Sequence, residues 1–409
     1  MNAKLQEYAK LLVEVGVNVQ KGQILVINCA VDHAPFARLC ADAAYARGVK
    51  EVVMIWNDDY LTRQKYLYAE ESVFTDYPQW RADMLYHYAK EGACFLFLIS
   101  DNPENLLGVD SERILAANKS AGEALKPYRE LRDKNTCPWS IGALSAPEWA
   151  KKVFPNLDER EAVDALWEKI LMAVHVKGDG TAVEAWRAHA KQLKEHMRLL
   201  NEYNFRTLHY KNALGTDLTV ELAKNHVWEA GGDTTVSGQD YMPNMPTEEC
   251  FTACDRNGVN GVIYATMPLV KDGNVIENIR VVLKDGKIVE ASATKGEDIL
   301  KAAITVDEGA SYLGEVALVP YDSPIQNSKT LYYETLFDEN ASCHFAFGKA
   351  YNTNVKGGLD MTKEQLLEAG LNDSITHVDF MVGTSDLSII GTTWDGREIP
   401  VFADGNFAF

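Results

Sequence analysis

Acidic residues, two histidines and a tyrosine gather in four short stretches late in the chain. The stretches are Pro246-Thr-Glu-Glu249, Gly314-Glu-Val-Ala-Leu-Val-Pro320, Asp338 to His344 with Tyr351 beyond it, and His377-Val-Asp379. Carboxylate and imidazole ligands together suit zinc, manganese or cobalt. Because this many carboxylates would over-neutralise one divalent ion, the pattern predicts two ions that share a bridging carboxylate. The chemistry that such a pair of ions supports is hydrolysis.

The adjacent acids Glu248 and Glu249 have two interpretations. Two buried carboxylates that are both ionised repel each other, so a solvent-exposed turn after Pro246 would explain them without any chemistry. Beside a metal, the positive charge makes the pair tolerable. In that case one acid binds the ion, and the other lies near the attacking water as a general base.

Glu315 is an acid inside the otherwise apolar run from Tyr312 to Val319. Strand alternation predicts that it shares a face with Leu313, Ala317 and Val319. A carboxylate there needs a cation or a raised pKa, unless it lies on an edge strand and reaches water.

The histidines also have ordinary structural explanations. His344 lies among Cys, Phe and Ala, where a hydrogen-bonded core histidine is commoner than a metal ligand. Tyr351 is compatible with an ordinary half-buried tyrosine. His377 and Asp379 give the sharper signal, because residues i and i+2 of a strand share a face and can reach one ion together. A simple hydrogen-bonded pair is the alternative, but the coincidence of all these features favours a metal site.

The elements that position these residues fall into two halves. Apolar strands at 24–27, 51–56 and 93–100 alternate with helices at 34–47 and 79–91, which predicts βαβ units with a parallel sheet. Residues 137–155 are expected to be loop, and 158–202 helical. Beyond Asn204 strands and turns dominate, with turn sequences at 271–274, 284–287 and 395–396. We therefore expect an α/β domain over 1–203 and an α+β catalytic domain with the metal site over 204–409.

Composition restricts the partners and the compartment. The 409 residues carry a formal net charge of -19, which argues against nucleic acid and anionic membranes as partners. The opening residues predict an amphipathic helix instead of a signal peptide, and no apolar run is long enough to span a bilayer. Seven scattered cysteines indicate reduced thiols in a cytoplasmic protein, with Cys250 and Cys254 as buried bystanders.

The four stretches, together with the opening Val15-Gly-Val-Asn-Val-Gln-Lys-Gly-Gln23, resemble the thermophilic aminopeptidase family of the aminopeptidase S, aminopeptidase T and PepS type. The likeness extends over nearly the whole chain. It implies a dimeric cytoplasmic metallo-aminopeptidase with two divalent ions (zinc, cobalt or manganese) that acts on short peptides with a free N-terminus. The ligands that it implies are Glu249, Glu315, His344, His377 and Asp379, with Glu339 a further candidate and Tyr351 at the site.

In this interpretation Glu248 is the general base, and Tyr351 either donates a hydrogen bond to the oxyanion or binds a metal directly. The residues 1–203 are expected to form a homodimer interface through the helix that carries His189 and His196, and to enclose the active sites. Two rival functions stay open. A two-metal phosphoesterase would use similar ligands but needs cations for phosphate, and the motifs contain no Arg. A non-catalytic metal- or peptide-binding protein would have a closed site rich in Cys and His.

Overall fold

The computed structural model describes residues 1–271 and 274–409 of the chain. They form two compact units. Unit one comprises Met1–His189 and Gly232–Pro246, and unit two comprises Ala190–Gly231 and Thr247–Phe409. The division therefore does not follow a single boundary near Asn204, because the segment Gly232–Pro246 returns to unit one and adds a strand to its sheet.

The helices are concentrated in the first half of the chain, where they alternate with strands. In chain order they are α1 (Asn2–Leu11), α2 (Ala34–Ala46), α3 (Asp59–Tyr68), α4 (Ser72–Thr75), α5 (Gln79–Lys90), α6 (Ser111–Ala124), α7 (Lys126–Asp133), α8 (Pro147–Val153), α9 (Glu159–Ala173), α10 (Ala182–Tyr203), α11 (Glu297–Ala303), α12 (Pro324–Asn327), α13 (Thr335–Asp338) and α14 (Lys363–Glu368).

The strands become frequent after α10. In chain order they are β1 (Ile24–Ala30), β2 (Glu51–Asn57), β3 (Cys94–Ile99), β4 (Trp139–Ala143), β5 (Phe205–Lys211), β6 (Asp217–Leu222), β7 (Glu229–Ala230), β8 (Asp233–Thr234), β9 (Asp240–Tyr241), β10 (Asn244–Met245), β11 (Cys250–Tyr264), β12 (Leu269–Lys271), β13 (Asn274–Ile276), β14 (Arg280–Lys284), β15 (Lys287–Ser292), β16 (Leu313–Leu318), β17 (His344–Gly348), β18 (His377–Met381), β19 (Ser388–Thr393), β20 (Glu398–Ala403) and β21 (Asn406–Phe407).

Unit one contains a parallel sheet with the strand order β10-β4-β3-β1-β2, and helices connect its first strands. The predicted parallel sheet is thus confirmed. The predicted loop over 137–155 is wrong, because β4 and α8 lie within it. The sequence pattern did not predict β4, because its residues are small where it packs closely against α1 and the turn after α1. A Cβ at Gly142 would lie 2.7 Å from Leu12 Cδ2. A tertiary contact, and not an alternating pattern, selects these residues.

Unit two is built on an antiparallel sheet whose longest path runs β18-β17-β16-β11-β6-β5-β19-β20-β21. The long strand β11 pairs with β6, β7, β14 and β16, so it joins the two ends of the sheet. The antiparallel prediction for this half is confirmed, as is the hairpin turn at 284–287, where Asp285 and Gly286 have φ of 49° and 79°. The turn expected at 271–274 includes Asp272 and Gly273, which lie outside the described residues.

All seven cysteines are buried free thiols, including Cys250 and Cys254. Their burial agrees with the prediction that they are bystanders and not metal ligands. Among the helices of the described chain, none combines the length and the apolarity that crossing a membrane requires.

Candidate metal centre

One face of the sheet in unit two carries the acidic residues. In the register of the strands, Ala253 of β11 is opposite Glu315 of β16, Glu315 is opposite Ala346 of β17, and Ala346 is opposite Asp379 of β18. Side chains in one such row point to the same face. His344 and His377 precede Ala346 and Asp379 by two residues and therefore join them on that face. Glu249, just before β11, completes the set.

A bulge places Glu315 on this face. Leu313 is opposite Phe347, whereas Glu315 is opposite Ala346, so one residue of β16 is extra at Gly314. Leu313 consequently packs with Val316 in the apolar core, and the expectation that it shares a face with Glu315 is wrong. Gly314 permits the bulge, because a Cβ there would lie only 2.3 Å from the carbonyl oxygen of Gly348.

Small residues separate the charged ones. Ala253, Ala317 and Ala346 are fully buried on the acidic face. Ala346 lies between Glu315 and Asp379 in the row, and the two carboxylates reach the same imidazole above it. A larger side chain at 346 would fill the space in which these oxygens meet.

The ligand atoms form two groups that share Glu315. Glu249, Glu315 and His344 form one group, and Glu315, His377 and Asp379 form the other, with the ligand atoms of each group within 4.8 Å of one another. In the first group His344 Nε2 lies 3.2 Å from Glu249 Oε2 and 3.6 Å from Glu315 Oε1. In the second, His377 Nε2 lies 3.5 Å from Glu315 Oε2 and 3.2 Å from Asp379 Oδ1. The two oxygens of Glu315 thus face different imidazoles.

Backbone carbonyls orient both imidazoles. His344 Nδ1 lies 3.1 Å from the carbonyl oxygen of Ser342, and His377 Nδ1 lies 2.7 Å from that of Lys349. A carbonyl can only accept, so each Nδ1 carries the proton and donates it. Each Nε2 is then the nitrogen that faces the carboxylates, and once it gives up its proton it can bind a cation, which is the arrangement of histidines that bind metals.

The buried charges make the centre strongly acidic. Burial raises the pKa of Glu315, with the charges of Asp379 and Glu249 adding to the effect of burial. Burial opposes a charge on His344, but its hydrogen bonds to Glu249 and Glu315 outweigh that and raise its pKa well above the usual value. In the same way, Asp379 outweighs burial and raises the pKa of His377 to about 9. A site that draws protons onto its histidines is short of positive charge.

The donor set fits divalent cations. Carboxylate oxygens and imidazole nitrogens are ligands of zinc, cobalt and manganese, and a shared carboxylate is characteristic of two-metal sites. With neutral histidines, Glu249, Glu315, Asp379 and the nearby Glu339 contribute four negative charges, which two divalent ions would balance.

Glu339 and its neighbour Asp338 differ in their surroundings. Burial, followed by repulsion from Asp379 and Glu249, raises the pKa of Glu339 well above its usual value, so its carboxylate lies in the field of the centre. In the part of the chain that the structure describes, however, neither ligand group includes it. Asp338 instead accepts backbone hydrogen bonds from Tyr332 at 2.7 Å and Glu334 at 3.2 Å.

Glu248 is held beside Glu249 through its backbone. Asn340 Oδ1 accepts a hydrogen bond from the Glu248 amide at 2.7 Å, and Asn340 Nδ2 donates to the carbonyl oxygen of Leu336 at 2.9 Å. The side chain of Glu248 is buried, and burial raises its pKa to about 8. The solvent-exposed turn considered for this pair of acids is therefore wrong. Sequence reasoning missed Asn340, although it lies inside the Asp338-to-His344 motif.

Tyr351 lies at the rim of the acidic face. Its ring centre is 5.0 Å from that of His377 and 6.2 Å from that of Phe251. Although 47% of Tyr351 is exposed, its hydroxyl is shielded from water; this desolvation and then the carboxylates of Glu315 and Asp379 raise its pKa, so the hydroxyl stays protonated and can donate a hydrogen bond. Sequence reasoning missed Phe251, although its i, i+2 spacing from Glu249 predicts a shared face if the strand includes both residues.

The two histidines of α10 contribute to packing. The ring of His196 stacks on that of Phe407 with 4.0 Å between centres, within unit two. The ring of His189 lies 5.4 Å from that of Trp186 in unit one. Each is partly buried by its own chain.

Comparison with known proteins shows the family to which the chain belongs. Residues 1–407 match the family described as "Thermophilic metalloprotease (M29)". The chain is 48% identical to aminopeptidase AmpS of Bacillus subtilis, over 99% of this chain and 98% of that protein. It is 45% identical to aminopeptidase 2 of Geobacillus stearothermophilus, with the same coverage of 99% and 98%. The solved structure of wild-type AmpT from Thermus thermophilus superposes with a TM-score of 0.93 at 37% identity, covering 100% of both chains. This chain therefore belongs to the M29 family of thermophilic metalloproteases.

Proposed function

We propose that the protein is a metallo-aminopeptidase that removes the N-terminal residue from peptides at a site for two divalent ions. The ligands in this proposal are Glu249, Glu315, His344, His377 and Asp379, with Glu339 as a further candidate. The ions are zinc, cobalt or manganese. All of these ligands lie within residues 204–409 and belong to unit two, so unit two is the catalytic part of the chain in this proposal.

The observation that carries the proposal is the position of Glu315. One of its oxygens faces His344 and the other faces His377, while Glu249 and Asp379 stand beside the respective imidazoles. A single-ion site would have no use for a carboxylate divided between two nitrogen donors. Membership of a metalloprotease family and the similarity to proteins named aminopeptidases support the same conclusion.

When bound, the ions polarise the scissile carbonyl and lower the pKa of the attacking water. Glu248 accepts the proton of that water and transfers it to the leaving amine, a role that its burial beside Glu249 permits. Tyr351 donates a hydrogen bond to the oxygen on which negative charge develops. The acidic centre attracts the α-ammonium group of the substrate, which restricts cleavage to the N-terminus.

The test combines metal content with the rate of hydrolysis of an aminoacyl-p-nitroanilide. We expect two ions per chain in active protein, loss of activity with a chelator, and recovery with zinc, cobalt or manganese. N-acetylation of the substrate should abolish hydrolysis, because it removes the charge that the centre attracts. Full activity in metal-stripped protein, or equal rates on free and acetylated substrates, would refute the proposal.

The phosphoesterase alternative is less well supported. Phosphate sites use Arg or Lys to bind the transferred group. In residues 1–271 and 274–409 the ion-pair partners of Glu249, Glu315 and Asp379 are the two histidines, and no Lys or Arg joins them. Hydrolysis of p-nitrophenyl phosphate by the same preparation at a comparable rate would favour this alternative.

The proposal extends to assembly and location. We propose a cytoplasmic homodimer whose interface is built by residues 1–203. Helices α3 and α5 expose large apolar side chains, including Tyr60, Tyr68 and Trp80, and exposed aromatic residues are enriched at interfaces. Sedimentation of the purified protein should give twice the mass of one chain, and a fully active monomer would contradict the dimer.

A further inference from the structure

Tyr351 lies on a short connection that has no helix or long strand of its own. After β17 the chain is anchored by the amide of Ala350, which donates to the carbonyl oxygen of Asn372 at 2.9 Å. Tyr351 then begins a single 3₁₀ turn, Asn352–Asn354, that the Asn354 amide closes on the Tyr351 carbonyl at 3.2 Å. One turn is too short to hold an aromatic side chain in place by itself, so its position depends on what the turn contacts.

The turn is docked on the segment 225–229, and Glu229 provides the side-chain contacts. Glu229 Oε2 accepts hydrogen bonds from Thr353 Oγ1 at 2.9 Å and from Asn354 Nδ2 at 3.2 Å. The backbone adds a bond from the Val227 amide to the Asn354 carbonyl at 2.7 Å. Glu229 therefore anchors both residues that close the turn.

Glu229 is itself fixed to the sheet that carries the metal centre. It belongs to β7, where it is opposite Phe251 of β11. The ring of Phe251 contacts that of Tyr351, and Tyr351 in turn contacts His377. The paired residues Glu229 and Phe251 thus both position Tyr351: Glu229 acts through the turn, and Phe251 through its ring.

We infer that Glu229 is a positioning residue for the proposed reaction, acting through the turn 352–354 to set the Tyr351 hydroxyl over the metal centre. This inference rests on the proposed aminopeptidase function. Glu229 does not belong to either ligand group in the described chain, so its removal leaves the ligands in place. A hydroxyl that drifts by about 1 Å no longer meets the developing charge, and such a misplacement can cost up to about a hundredfold in rate.

A double-mutant cycle between Glu229→Ala and Tyr351→Phe tests the inference. We expect Tyr351→Phe to lower kcat by at least about tenfold, as a lost hydrogen bond to the oxyanion would. Glu229→Ala should lower kcat by a comparable factor with KM within about twofold of wild type, because the hydrogen bond is made mainly in the transition state. In the Tyr351→Phe background, Glu229→Ala should have little further effect. Both single variants should keep the wild-type metal content.

Conservative variants separate positioning from loss of stability. Glu229→Gln retains an acceptor oxygen and should recover most of the activity. Thr353→Val removes one donor at nearly constant volume and should lower kcat in the same direction as Glu229→Ala, while Thr353→Ser should restore it. Glu290→Ala, which removes an exposed ion pair with Arg280, is the matched control and should leave kcat unchanged.

Three results would overturn the inference while the proposed aminopeptidase function stands. The first is a set of effects of Glu229→Ala and Tyr351→Phe that multiply, and the second is a Glu229→Ala protein with the wild-type kcat, whatever its stability. A Tyr351→Phe protein with full activity would do the same, because nothing would remain for Glu229 to position. A metal-loaded wild type that hydrolyses no aminoacyl substrate would instead contradict the proposed function and, with it, this inference.

Discussion

The two largest sheets of the described chain differ in what surrounds their acidic residues. In unit one, acids follow the parallel strands and accept hydrogen bonds from the backbone: Asp58 Oδ1 binds the amide of Leu61 at 2.9 Å, and Asp59 Oδ2 binds that of Asn102 at 2.8 Å. In unit two, Glu315 and Asp379 lie within antiparallel strands and face imidazole nitrogens. Asp58 and Asp59 thus stabilise local backbone structure, whereas Glu315 and Asp379 leave a negative charge that cations would balance.

The physical difference is whether the backbone nearby can satisfy the carboxylate. At the start of a helix the first amides have no partner in the helix, so the carboxylate of an aspartate such as Asp58 accepts hydrogen bonds from them. In the middle of a strand every amide already belongs to the ladder, and a buried carboxylate must find its partner elsewhere. A buried mid-strand acid is therefore a better indicator of function than an acid at a strand end.

The strongest test of this contrast removes Glu315. Because both ligand groups depend on it, Glu315→Ala should lose both ions and lower kcat/KM by about a thousandfold or more, since metal assistance contributes several kcal/mol to the barrier. Metal analysis of the purified variant and its rate on an aminoacyl-p-nitroanilide provide the measurement. A variant that still holds two ions per chain would show that Glu315 is not shared between them.

The next test separates the adjacent acids before β11. Glu248→Gln should keep both ions and lower kcat by about a hundredfold, as expected for a lost general base. Glu249→Gln, its neighbour and matched control, should bind less metal in the group that contains His344. If Glu248→Gln loses metal and Glu249→Gln keeps it, the two roles are exchanged.

Much of this centre could be anticipated from single strands, but its geometry could not. The i, i+2 spacing of His377 and Asp379 predicts a common face, and the structure has both on one side of β18. The register that brings Asp379 level with Glu315 depends on contacts between strands distant in sequence. The bulge at Gly314 is likewise set by the approach of Gly348, and no periodicity within β16 reveals it.

The same limit applied in unit one. Helices such as α2 and α5 were predicted within a residue or two, because glycines follow their last turns and their apolar residues recur at helical spacing. Strand β4 was missed, since Gly142 is chosen by its contact with Leu12 and not by alternation. The local sequence pattern therefore predicts elements whose own residues determine their conformation. Elements that depend on contacts with a neighbouring element could be located only in the structure.

A third prediction concerns the small residues between the acids. Ala346→Leu should weaken metal binding by about tenfold or more, because the added carbons occupy the space where the carboxylates of Glu315 and Asp379 meet. Val378→Leu is the matched control, because Val378 lies on the neighbouring strand in the apolar core. This substitution should lower the free energy of unfolding without a comparable loss of metal affinity. Equal losses of metal from both variants would mean that general overpacking, and not the acidic face, is responsible.

The smallest expected effect lies in unit one, where Asp58 accepts the amide of Leu61 at the start of α3. Asp58→Ala should lower the free energy of unfolding by about 1 kcal/mol, the usual contribution of a helix N-cap, and leave kcat and metal content unchanged. Asp58→Asn, which retains an acceptor at the same position, should recover most of that stability. Denaturant unfolding monitored by circular dichroism, alongside the peptidase assay, measures both quantities. A marked fall in kcat for a folded, metal-loaded Asp58→Ala protein would contradict the proposed difference between the acids of the two units. An acid that is hydrogen-bonded by its own helix would then also contribute to catalysis.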